Sequence, residues 1–172
     1  MNIDEALKFL KNHQPMPSDK DLDKETIDRY NEVMKIFLFN RVPECVPLFL
    51  NSFGERDGFG VYQLIEDVIR KFDDSEVIPH LSTALKSDLR SVRYWNTQIA
   101  ALFPSIELIE PLVDLLSEED FDIKYASLTA LSQINSNKVI NIIREFQKKE
   151  EDSELRELAQ EIIEDLEKYN RL

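Results

Sequence analysis

Apolar residues return along this chain in sets of one shape. Val61, Leu64, Val68, Ile69 and Phe72 recur as Val92, Trp95, Ile99, Ala100 and Phe103, then as Ile123, Ala126, Ala130, Leu131 and Ile134, each 31 residues on. A fourth set, Leu155, Leu158, Ile162, Ile163 and Leu166, follows after 32. Within a set the spacing places the five side chains on one face of an α-helix. A unit of this period cannot bury its apolar face alone. The units must stack, which predicts a solenoid of helical hairpins presenting an extended surface to another molecule.

A first helix precedes each set. Val46 and Leu50 correspond to Val77 and Leu81, to Leu108 and Leu112, and to Val139 and Ile143. Ser75, Ser105 and either Ser136 or Asn137 stand where side-chain oxygens can cap these helices. Pro47, Pro79 and Pro111 fall early in them, where a missing N–H has no intrahelical partner. The second helices are expected after acidic turns at Asp57, Asp88, Asp120 and Asp152. Ahead of the repeats, the pattern predicts a short helix from Asp4 to Asn12 with Ala6, Leu7 and Leu10 inward. A breaker containing Pro15 and Pro17 follows, then a helix from Leu22 to Asn40 with Ile27, Tyr30, Val33, Met34, Phe37 and Leu38 on one side. The expected organisation is a single domain over 1–172, with capping helices in 1–41 and four repeats of about 31 residues in 42–167. Tyr169-Asn170-Arg171-Leu172 reads as a short polar finish.

Composition sharpens this picture. The 172 residues include 34 acids and 21 bases, a formal net charge of −13. A surface of that sign repels a phosphate backbone and attracts a basic partner, which argues against nucleic acid and for a basic protein. Between Glu110 and Glu167 there are 16 acids and 6 bases, so the C-terminal half would feel a basic ligand most strongly. Cys45 is the only cysteine, which excludes an intrachain disulfide and a thiolate metal cluster. The stretch Met1-Asn2-Ile3-Asp4-Glu5 lacks the basic start and apolar run expected of a secretory signal, and no apolar run reaches bilayer length. The expected location is the cytoplasm, and no membrane partner is expected.

The string Asp120-Phe121-Asp122-Ile123-Lys124-Tyr125-Ala126, followed by Ala130-Leu131 and Ile134, resembles the HEAT-repeat consensus, in which an Asp precedes a Val-Arg pair and a later Ala-Leu pair. Asp88 with Val92-Arg93 and Asp152 with Leu155-Arg156 are similar, while Tyr62 after Val61 departs from the pattern. The resemblance covers about residues 42 to 167. It implies an all-α fold, a right-handed α-α superhelix of about four to five helical hairpins. By size and charge the chain also resembles the acidic helical-repeat immunity proteins of bacterial toxins.

Candidate chemistry is sparse. His13 and His80 lack a second ligand at metal spacing, so no metal and no cofactor are expected. Gly58-Phe59-Gly60 lacks the lysine and preceding strand of a phosphate loop, and Ser52 has none of the surroundings of a nucleophile. Phe59 is expected to be buried between units, although its flanking glycines would also permit a sharp bend that turns it outward. Trp95 is expected as an inward wedge.

On the second helices, offsets 2, 5, 6 and 9 from the first residue of each set should face away from the core. From these offsets come the candidate partner-binding residues Gln63, Glu66, Asp67, Tyr94, Gln98, Tyr125, Thr129, Glu157 and Glu161; Thr97 and Leu128 lie on the same offsets. The resemblance implies that they line a concave side, with tyrosines in the middle and acids at the ends. The reading is a non-enzymatic, monomeric protein-binding module, an immunity protein that occludes a basic toxin. The alternatives are an enzyme or subunit of the HEAT-like DNA glycosylase or bilin-lyase type, and a structural adaptor.

Overall fold

The computed structural model describes residues 1–169; residues 170–172 of the polar finish lie outside them. Ten α-helices run in order: α1 (Ile3–Asn12), α2 (Lys24–Phe39), α3 (Cys45–Leu50), α4 (Val61–Ile69), α5 (Asp74–Ala84), α6 (Arg90–Ala100), α7 (Ile109–Leu115), α8 (Phe121–Ser132), α9 (Asn137–Lys149) and α10 (Ser153–Tyr169). Among the described residues there is no strand. The chain is all-α.

Local chemistry sets the helix starts. Asn2 and Glu5 form a capping box on α1, and the Asp23 carboxylate accepts the Thr26 N–H at 2.7 Å to open α2. Ser105 and Ser136 accept the N–H groups of Glu107 and Lys138, each at 3.2 Å, as their positions predict. Asp120 caps α8 and Asp152 caps α10, accepting from Ile123 and Leu155 at 3.1 and 3.0 Å. Ser75 is different. It lies inside α5, whose cap is Asp73 in a box with Glu76, because the longer carboxylates reach both orphan donors reciprocally. Pro47 and Pro111 occupy first turns of α3 and α7, whereas Pro79 lies deeper, inside α5.

The chain divides into two compact units, Met1–Asn96 and Thr97 onward, with the boundary inside α6. In the N-terminal unit α1 packs on α3 and α3 on α5, while α2 packs against α4. Rings of Phe9, Tyr30, Phe49 and Phe37 meet edge to face at 5.8–6.2 Å through its centre. Helix α3 stops after six residues. Its last carbonyls are taken up by side chains: Ser52 donates to Phe49 O at 2.8 Å, and Asn96 Nδ2 donates to Leu50 O at 2.7 Å. In the C-terminal unit α7 packs on α8, and α8 and α9 both pack on α10.

All eight aligned first-helix residues, from Val46 to Ile143, are fully buried. Val92, Ile123 and Leu155, which open three of the second-helix sets, are at most 1 % exposed. The next position shows a difference. Leu64 is 45 % exposed and Trp95 and Leu158 are half-buried, while the residues one place later, Ile65, Asn96, Ser127 and Ala159, are all at 0 %. At this one position the seam takes the residue one place later, while the third to fifth residues of every set are buried as aligned. In α1, likewise, Phe9 is buried in place of Leu7.

Candidate protein-interaction surface

The second helices carry every expected partner-binding residue, and the two units contribute separate sets. In the N-terminal unit, Gln63 and Asp67 of α4 are exposed, and Glu66 is half-buried with Oε1 accepting from Arg70 Nε at 2.8 Å. Tyr94 on α6 is half-buried, with the Arg90 guanidinium 5.4 Å from its ring centroid and its edge on Trp95. In the C-terminal unit, Gln98, Tyr125, Thr129, Glu157 and Glu161 are all exposed. Thr129 lies one turn beyond Tyr125, its hydroxyl donating to Tyr125 O at 3.0 Å. Helix α10, bearing Glu157 and Glu161, packs beside α8.

The offset rule fails at two places. Thr97 and Leu128 are fully buried, whereas Glu66 and Gln160 at the same offset are half-buried and exposed.

Three aromatic residues depart from expectation. Trp95 is no inward wedge: half-buried, it stacks on Phe53 at 5.7 Å and donates from Nε1 to Arg56 O at 3.1 Å. Phe121 was not singled out by spacing, yet it is 37 % exposed and its ring lies 6.1 Å from that of Tyr125, itself 41 % exposed. Phe59 is 63 % exposed, not buried.

The reason for the third is backbone geometry. Gly58, Phe59 and Gly60 have φ of 56°, 55° and 84°, a left-handed turn that aims the central side chain away from the core. The turn is held from several sides. Asp57 Oδ1 accepts the Phe59 N–H at 3.0 Å, Asp19 Oδ1 accepts the Gly58 N–H at 3.2 Å, and the Tyr62 ring lies against Gly58. A non-glycine residue in this region is strained, and such strain gathers where structure serves binding.

Groups with strongly raised pKa values are core groups. Burial pushes the Cys45 thiol up to about 12. Burial also pushes the Tyr62 phenol up to about 12, against the opposing effect of the Gly54 N–H that it accepts. Tyr30 is likewise raised by burial, while its hydroxyl shares a 2.5 Å hydrogen bond with Ser52 Oγ. Burial here favours the protonated, unreactive form. Among the described residues no group of three or more His, Cys, Asp or Glu could hold a metal ion, and no helix is long and apolar enough to cross a membrane.

Residues 78–164 match the family model for HEAT repeats. The chain belongs to the HEAT-repeat family. No curated protein matches it. HEAT repeats generally mediate contacts between proteins, and the matched segment includes six of the nine candidate residues, from Tyr94 to Glu161.

Proposed function

We propose that this HEAT-repeat chain is a protein-binding module whose second-helix residues engage a basic protein, as an immunity protein covering the substrate-binding face of a toxin would. The observation carrying this reading is the pairing of two neighbouring helices in the C-terminal unit. Exposed Phe121 and Tyr125 on α8 supply ring area, and exposed Glu157 and Glu161 on α10 supply charge. Aromatic anchors with an ionic surround are the composition of a protein interface. The net charge of −13 adds long-range attraction for a basic partner and disfavours a nucleic acid. In the N-terminal unit Gln63, Asp67 and Tyr94 offer a second set, with Glu66 partly committed to Arg70. The module acts as a monomer in this reading, and it performs no catalysis.

The test is a pull-down against the product of the adjacent gene, repeated with Glu66, Asp67, Glu157 and Glu161 each changed to Lys. Reversal of these charges should weaken capture at least about tenfold and flatten its salt dependence. Capture unchanged by all four reversals would remove the electrostatic docking.

A further inference from the structure

On α7, α8 and α9 of the C-terminal unit lies a groove of about 750 Å³ that shares no residue with the surface described above. Val113 and Leu116 of the α7 region and Ile142 and Phe146 of α9 supply its apolar lining. Lys138 and Lys149 stand at its two ends on α9, both exposed. Among the described residues neither ammonium has a carboxylate within salt-bridge distance. The other charges at the groove are already matched. Lys124 Nζ lies 2.7 Å from Glu150 and 6.0 Å from the Phe146 ring centroid, and Lys148 holds Glu145 at 2.6 Å. Lys149 acts on Glu145 only at longer range, and in a chain of net charge −13 an apolar groove with two cations outside any salt bridge is an inversion of the general surface.

The register along α9 sets the shape of what fits. Lys138, Ile142, Glu145, Phe146 and Lys149 follow the three- and four-residue steps of one helical face. The two lysines are eleven positions apart, about 16 Å at the rise of an α-helix. We propose that this groove binds an amphipathic helical segment of a partner protein, its apolar face on Ile142 and Phe146 and two carboxylates about three turns apart meeting Lys138 and Lys149. The occupant is acidic, so it differs in kind from the basic partner proposed for the second-helix surface.

Fluorescence anisotropy with a labelled, helix-stabilised peptide tests this. The probe carries leucines along one face and glutamates eleven positions apart; its control has lysines in their place. The expected result is saturable binding of the glutamate peptide and at least about tenfold weaker binding of the lysine peptide. The double variant Lys138→Glu, Lys149→Glu should reverse that preference with the helical circular dichroism retained, since both side chains are exposed. Phe146→Ser should weaken both peptides, and Glu157→Lys with Glu161→Lys should leave the preference for the glutamate peptide in place, since neither residue lines the groove. Equal binding of the two peptides, or insensitivity to the Lys138 and Lys149 reversals, would overturn the assignment. So would concentration-dependent dimerisation abolished by Phe146→Ser, which would make a second copy the occupant.

Discussion

Two glycines flanking Phe59 differ in what they can tolerate. At Gly58 a Cβ would stand 2.9 Å from Tyr62 Cζ, with φ at 56°, so alanine meets both a ring and an unfavourable backbone region. At Gly60 the nearest neighbour of such a Cβ is Gln63 Oε1 at 3.7 Å, and only the backbone cost remains at φ of 84°. Gly58→Ala should destabilise by about 2–3 kcal/mol and Gly60→Ala by about 1–2 kcal/mol, as read from urea unfolding. Equal losses would mean that the Tyr62 ring moves aside freely. The outward Phe59 was legible only as one of two options in Gly58-Phe59-Gly60, because glycines permit positive φ without requiring it. What decides the matter is partly long-range: Asp19 and Trp95 close on this loop from elsewhere in the chain, and Tyr62 packs on it from the following helix. Phe121 escaped notice for a related reason. Its position at the very start of α8 precedes the repeated set, so no spacing argument reached it.

Among the elements, α8 is tied to the α9–α10 turn by one ion pair. Lys124 and Glu150 side chains are only 18 % and 9 % exposed, and the Glu150 carboxylate also accepts the Glu151 and Asp152 N–H groups at 3.1 Å. Burial opposes ionisation of Glu150, but Lys124 and those N–H groups outweigh it and hold its pKa below the ordinary carboxylate value. The contribution is therefore present above the unfolded value near 4.3 and lost as pH falls through the lower folded value. Lys124→Met should cost about 1–2 kcal/mol at neutral pH, and the deficit should shrink under acid, where Glu150 takes a proton in both variants. Thermal melts at stepped pH would show it; a pH-independent deficit would assign the loss to packing alone. At this scale the sequence was most readable. The eight first-helix positions follow directly from period and the starts of α8 and α10 from the capping chemistry of Asp120 and Asp152, whereas α4 starts after Gly60 with no side-chain cap. The seam shift did not, since Ile65, Asn96, Ser127 and Ala159 share no hydrophobicity. Asn96 at this position donates from Nδ2 to Val92 O within its own helix and to Leu50 O, while its Oδ1 and Ser127 Oγ are buried with no hydrogen-bond partner among the described residues.

Over the whole molecule, the groups most strongly disfavouring charge fall in one unit. Cys45, Tyr30 and Tyr62 all belong to Met1–Asn96 and all have raised pKa values. Stability from a raised group is intact below its unfolded pKa, about 8.5 for a thiol and 10 for a phenol, and is lost as pH climbs towards the folded value. The N-terminal unit should therefore open first in base, between about pH 9 and 12. Tyrosinate absorbance should rise cooperatively with loss of helical circular dichroism; a gradual rise with helix intact would contradict this. The helical stack was legible from period and the family from the resemblance of the string at 120–126 and its counterparts, and the division inside α6 was not, because the repeat pattern passes through Asn96 and Thr97 without a break. Cys45 has one more consequence. It is the chain's single thiol, shut away in α3, so a cysteine-directed reagent would mark each molecule once and only after α3 had parted from its neighbours. The protein thus carries its own stopwatch, in which the added mass records how often the N-terminal unit breathes.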